Sequence, residues 1–247
     1  PRLCSSAASD VYKRQEEQFL SKFFKLMIQT TLNLSLNYKI HFDDIKSLSF
    51  CEEVRNKSND FLSSDNHCLI FKGDELINSY IFQALYNDLE KNSKCIFISM
   101  RDNKSEVLKD LDNFSHIFID SFNECFENKI SEIDLFNLYN SSKINNSRLI
   151  MRENSLIQKN ILLPDLRSRI NSNIELVIPG LTDKDKKHII EIELIKRGLS
   201  IKEKNLDFIM NHSSRNLETL QILVNKLDEL TMERKQNISI PLIKELI

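Results

Sequence analysis

The octapeptide KGDELINS, Lys72 to Ser79, stands between an apolar run, CLIF, and a helical pattern, SYIFQALYNDL. A strand, a tight loop and a helix in that order form the frame in which backbone N–H groups and a lysine hold phosphate. Laid on the pattern GxxxxGK[ST], the octapeptide keeps only its last residue, Ser79. Lys72 replaces the first glycine, Ile77 the second and Asn78 the lysine, and the loop's one glycine is Gly73. Ile77 adds a β-branched side chain where backbone must approach the ligand. Asp74 and Glu75 add negative charge, and at about 4 Å each like-charge pair with a phosphate costs a few kcal/mol. The loop has the place of a phosphate site without its chemistry.

Three other groups have types and spacing that suit chemistry. Asp120 ends the apolar run HIFID; an aspartate there either holds Mg²⁺ beside a phosphate loop or caps the next helix. In LPDLRSRI, Arg167 and Arg169 either form surface ion pairs or reach a phosphate held by a neighbouring subunit, as an arginine finger does. In TLNLSL, Leu32, Leu34 and Leu36 alternate with polar residues, which suits an extended segment laid in an apolar groove or an edge strand. The five histidines are scattered and the cysteines form no CxxC pair, so no metal site is expected. No nucleophile elbow of the GxSxG kind occurs.

The elements that must position these groups alternate. Short apolar strands are expected at HCLIFKG, KCIFISM, SHIFIDSF, SRLIMREN and NIELVIPG, with helices between them, including one capped by Ser79, a short one capped by Ser105 and one opened by Pro164. SEIDLFNLYNSSKINN is expected to be a helix with Ile133, Phe136 and Leu138 among its apolar residues, and the helix before the first strand is expected to turn Val54, Phe61 and Leu62 inward. Continuous apolar strands separated by helices imply a parallel sheet covered on both faces. After Pro179 the pattern becomes wholly helical: a helix capped by Thr182 and ended by Gly198, a second, and a third with Leu217, Leu220, Leu223, Val224 and Leu227 as its apolar stripe. The reading is an α/β domain over 41–178 followed by a small all-α domain over 179–247.

Composition narrows the class. The chain has 247 residues with 41% hydrophobic and 28% charged, and its formal net charge is -2, so no global basic field draws it to nucleic acid. It has only 3 Gly and 4 Pro, which leaves few places for a backbone wrapped closely around phosphate. Apolar runs are too short to span a membrane; Cys68 and Cys95, in apolar runs, read as small core residues, and the cysteine pattern suits a reduced, cytoplasmic setting. PRLCSSAASDVYKRQ, Pro1 to Gln15, reads as translated adaptor sequence; EEQFLSKFFKL reads as upstream sequence or an amphipathic helix, so that 1–26 precede the expected start at Met27.

An α/β domain followed by a helical lid, with a strand-end aspartate and a late arginine, resembles the AAA+ ATPases of the P-loop NTPase type. IFIDSFNECFENKISEIDLFNLYN, LLPDLRSRI, IPGLTDKDKKHIIEIELIKRGLSI and LVNKLDELTMERKQNISIPLIKELI are similar to the DnaA-homologous family called Hda, the regulatory inactivator of DnaA. The resemblance runs from about Thr31 to Ile247. It implies two partners, the initiator DnaA and the DNA polymerase III sliding clamp, and a role as a negative regulator of replication initiation at the replisome. It implies that 27–40 carry a clamp-binding segment, with Leu32, Leu34 and Leu36 as anchors and Thr31 and Ser35 where the family has Gln and Pro. It implies ADP or ATP as the family's nucleotide and homo-oligomers as a possible assembly, but no membrane and no direct sequence-specific nucleic acid. The family's arginine finger falls on Arg169, its strand-end aspartate on Asp120 and its first sensor near Arg152. The second sensor falls on Glu218 where the family has arginine, with Arg215 one turn earlier. With the loop lysine lost as well, this chain is expected not to be an ATPase itself, and to supply Arg169 to ATP on DnaA. The alternatives are an adaptor that binds without stimulating, or a nucleotide-switched protein with a divergent loop.

Overall fold

The computed structural model describes residues 39–247 apart from Asp102. Residues 1–38, with Leu32, Leu34 and Leu36, lie outside the described residues. Five parallel strands form one sheet in the order β2-β3-β4-β1-β5: β1 (Cys68–Lys72), β2 (Cys95–Ser99), β3 (His116–Asp120), β4 (Arg148–Arg152) and β5 (Ile174–Val177). All five expected strands are present. Their apolar runs are continuous because both faces are covered. On one face lie helix α1 (Cys51–Ser63) and α2 (Glu75–Glu90), packed on Leu69, Phe71, Phe97, Phe118 and Ile150. On the other lie α3 (Lys129–Ile144) and α4 (Pro164–Asn171), packed on Ile70, Ile98, Ile119 and Met151.

Three local expectations need correction. Helix α2 starts at Glu75, five residues before Tyr80, and its cap is Asp74, whose carboxylate accepts from Leu76 N and Ile77 N. Asp74 wins over Ser79 because it directly follows Gly73, the break at the end of the strand. The segment after Ser105 is a 3-10 turn, Ser105–Leu108, and no α-helix. In α3 the inward residues are Leu135, Leu138 and Tyr139, while Ile133 is 39% exposed. The helix starts earlier than expected, at Lys129 with Asn128 as its cap, and that start sets which face turns inward.

The lid is three helices, α5 (Asp183–Lys196), α6 (Glu203–His212) and α7 (Leu217–Arg234), closed by the short α8 (Ile240–Lys244). Thr182 and Asp185 form a capping box at the start of α5, and Gly198 takes φ +73° just past its end, the left-handed position that favours glycine. The expected stripe Leu217, Leu220, Leu223, Val224 and Leu227 is wholly buried. The lid has its own core but also joins the α/β domain. Ile189 and Leu217 pack with Ile40, Ile45, Ile77 and Ile178, and Asp185 accepts from both N and Oγ of Ser49, at 2.9 and 3.0 Å. No described helix is long and apolar enough to cross a membrane.

Candidate functional site

At the carboxyl ends of β1, β3 and β4, where an open parallel sheet receives ligands, the chain satisfies its own charges. The connection from β1 to α2 is only Gly73 and Asp74. Gly73 has φ +141°, and a Cβ there would meet the carbonyl oxygen of Ile178 at 2.7 Å; the missing side chain lets the turn lie against the end of β5. Lys72, the loop's lysine, turns to Glu175 at 2.6 Å and Glu153 at 3.8 Å. The first N–H groups of α2, the natural anion site of a helix, are taken by the Asp74 carboxylate, at 3.1 and 3.5 Å. Asn78, in the place of the phosphate lysine, is fully buried, and neither polar atom of its side chain has a partner among the described residues. Ser79 lies a turn inside the helix, its hydroxyl accepting from Gln83, too far from the helix start to face a ligand held by the loop.

Asp120 ends β3 beside the end of β4. Its carboxylate accepts from Nε of Arg152 in an ion pair. It caps no helix, since the following turn starts from Ser121 in a left-handed conformation, φ 56°. Arg152, at the end of β4, is 1% exposed. Its Nη1 lies 3.0 Å from Glu75 Oε1, and Glu75 also pairs with Arg101. Ser121 Oγ accepts from Arg101 Nε at 2.9 Å and from Arg152 Nη2 at 3.5 Å. Two carboxylates and two guanidiniums thus close a network over the strand ends. A buried arginine is tolerable only with such complete pairing. The sequence reading placed Arg152 near a sensor but missed that it would be the centre of this network. The available signal was a charged residue ending a wholly apolar strand beside another strand-end charge, Asp120.

Where the lid meets the α/β domain, the crevice bounded by Ile40, Ile77, Tyr80, Ile189, Glu193 and Lys196 has a volume of only about 10 Å³, room for no more than one water. The Tyr80 hydroxyl oxygen accepts from Gln221 Nε2 at 2.7 Å across this junction. Burial, then the neighbouring Glu193 carboxylate, pushes the Tyr80 phenol well up, so it stays protonated. Glu218 stands in the first turn of α7, and its side chain lies outside the described residues. Arg215 is exposed and pairs with Asp183 at 2.5 Å, away from the network.

Arg169 is elsewhere. It lies in the last turn of α4, at the amino end of β5. It is exposed, and its guanidinium makes no hydrogen bond or ion pair among the described residues. Arg167 differs, since it donates to the carbonyl of Ile161. The positive field of Arg169 reaches His67, whose pKa is lowered by burial and then by Lys143, Arg148 and Arg169; that imidazole is therefore neutral at pH 7. Among the described residues no group of His, Cys, Asp and Glu could hold a metal ion.

This geometry agrees with the comparisons. Residues 183–247 match the family model described as Hda, lid domain. The fold is that of DnaA domain III and its structural relatives. Domain III of the replication initiation protein DnaA from Thermotoga maritima superposes with a TM-score of 0.67 at 14% identity, over 86% of this chain and 97% of that one. DnaA from Aquifex aeolicus bound to AMPPCP gives 0.57 at 18% identity, over 81% of this chain and 70% of that one. The Holliday junction branch migration motor RuvB from Thermotoga maritima gives 0.56 at 18% identity, over 79% and 67%. In sequence, an uncharacterized protein of Haemophilus influenzae is 24% identical over 188 residues, covering 75% of this chain and 77% of that protein. These likenesses carry the fold. The match of 183–247 to the Hda lid model is the finding specific to one family.

Proposed function

We propose that this chain regulates replication initiation by acting on a DnaA-type initiator in trans. It joins that initiator to the DNA polymerase sliding clamp through residues 27–40 and promotes hydrolysis of the ATP bound to the initiator. It does so in the cytoplasm, at the replisome. The observation that carries this reading is the contrast between Arg169, exposed and unpaired among the described residues, and a nucleotide position closed by Asp74, Glu75, Arg101, Asp120 and Arg152. An arginine without a local partner keeps its five donors for charge that develops on another molecule. The chain itself is then no ATPase: a polyphosphate entering its own site would face two carboxylates already matched to arginines.

The test mixes ATP-loaded DnaA, DNA-loaded clamp and this protein. Wild type is expected to stimulate hydrolysis, and Arg169→Ala is expected not to. Equal stimulation by the two would remove the finger and leave the plain adaptor. Changing Leu32 and Leu34 to Ala is expected to release the clamp in a pull-down.

A second reading has one observation in its favour. The Asn78 carboxamide is buried without a partner among the described residues, and a polar group left so is costly unless something meets it. A nucleotide-switched protein would use it. Equilibrium titration with labelled ADP separates the readings: affinity at micromolar or better supports the switch, and no binding at millimolar ADP supports the closed site.

A further inference from the structure

Arg169 has an exposed side chain and a root held by three hydrogen bonds. Its backbone carbonyl accepts from Ser172 N at 3.2 Å, from Ser172 Oγ at 2.9 Å and from Asn173 Nδ2 at 2.7 Å. The other end of the Asn173 carboxamide, Oδ1, accepts from the Tyr139 hydroxyl at 2.9 Å. Tyr139 is 4% exposed, belongs to the core between the sheet and α3 and α4, and stands edge-on to His67 with ring centroids 4.6 Å apart. A continuous strut therefore runs from the core through Tyr139 and Asn173 to the residue that carries the guanidinium.

We propose that Asn173 and Tyr139 are positioning residues for the Arg169 guanidinium, and that their hydrogen bonds set the height and direction from which it reaches a phosphate on a partner. This rests on the trans-acting reading of Arg169. An ordinary helix end needs only water or a backbone donor on its last carbonyls. Here a side chain with both ends engaged joins that end to a buried phenol on a different helix. The hydrogen bonds that run from Tyr139 through Asn173 end on the Arg169 backbone carbonyl and not on its guanidinium, so each acts through Arg169. The strut matters because electrostatic stabilisation of a transferring phosphate depends on geometry, and a misplacement of about 1 Å costs up to about a hundredfold in rate.

The experiment compares wild type, Arg169→Ala, Asn173→Ala, Tyr139→Phe and Ser172→Ala as full chains in the hydrolysis assay with ATP-loaded DnaA and loaded clamp, measuring the maximal rate, the concentration for half-maximal stimulation, and Tm. Tyr139→Phe keeps the ring on His67 and removes only the hydroxyl, so it guards against a variant that merely unfolds. Asn173→Ala and Tyr139→Phe are each expected to lower the maximal rate on the order of tenfold. The half-maximal concentration is expected to stay within about twofold, because docking is intact. Ser172→Ala, which lacks the link to Tyr139, is expected to stay near wild type. Loss of Tm with an unchanged maximal rate in both strut variants would show a merely structural bond and overturn the proposal. A rise in half-maximal concentration at unchanged maximal rate would overturn it too, by placing these residues in docking. If Arg169→Ala stimulates as well as wild type, the trans-acting reading itself fails, whatever the strut variants do. If Arg169→Ala is inactive and the strut variants are normal, only the strut fails.

Discussion

At the carboxyl ends of β1, β3 and β4, Glu75, Arg101, Asp120 and Arg152 satisfy one another, whereas at the amino end of β5 the Arg169 guanidinium has no hydrogen bond or ion pair among the described residues. Both regions hold arginines close to a sheet, and they differ in what surrounds them. Arg152 is enclosed by carboxylates from two other segments and serves stability. Arg169 sits exposed in the last turn of α4, and with Lys143 and Arg148 it helps to hold the His67 pKa down. The proposed trans-acting reading rests on this contrast between a strand-end network that satisfies itself and an exposed arginine that does not.

The sharpest way to break the contrast is Arg169→Ala. The stimulated rate is expected to fall about a thousandfold or more, while stability, read by chemical denaturation, changes by less than about 0.5 kcal/mol as for other exposed positions. Arg152→Ala should do the reverse. Removing one partner from a buried ion pair strands Asp120 and Glu75, and a loss of about 3–5 kcal/mol is expected. The folded fraction, selected by gel filtration, should still stimulate. If Arg152→Ala is neutral in stability and abolishes stimulation, the assignment of the two ends is reversed.

Asn78→Leu probes the closed end more gently. It replaces an unpartnered carboxamide by an apolar group of similar size, and a gain on the order of 1 kcal/mol is expected. A loss of stability would mean that something meets Asn78 in solution. The smallest effect concerns the lid. Burial works to raise the pKa of Asp185, but hydrogen bonds from Thr182 and Ser49 outweigh it and hold the carboxyl below its usual range. A lowered folded pKa adds stability above the ordinary carboxylate value, about 4, and that stability is lost as pH falls through the lowered value. Asp185→Asn is expected to cost about 1 kcal/mol at pH 7 and to flatten the acid limb of the stability profile, with stimulation unchanged.

How much was legible beforehand follows from the range over which each feature is decided. The five strands, the cap at Thr182, the helix end at Gly198 and the α7 stripe depend on neighbours within a few residues, and all are where the pattern put them. The start of α2 was misplaced because Asp74 and Ser79 are both good caps, and only the turn at Gly73 against Ile178 chooses between them. The start of α3 was set by Asn128, and with it the burial of Leu135 and Tyr139 in preference to Ile133.

By itself the sequence determined that an α/β sheet with a helical lid would form, and that the loop after β1 lacked the groups for phosphate. Apolar periodicity and local charge suffice for both, because each acts between near neighbours in the chain. Tertiary structure alone decided that Asp120 would pair with Arg152, 32 residues away, that Asp74 would occupy the anion site of its own helix, and that Asn173 would join Arg169 to Tyr139. Those outcomes depend on strand order and helix direction, which bring distant residues within hydrogen-bond reach.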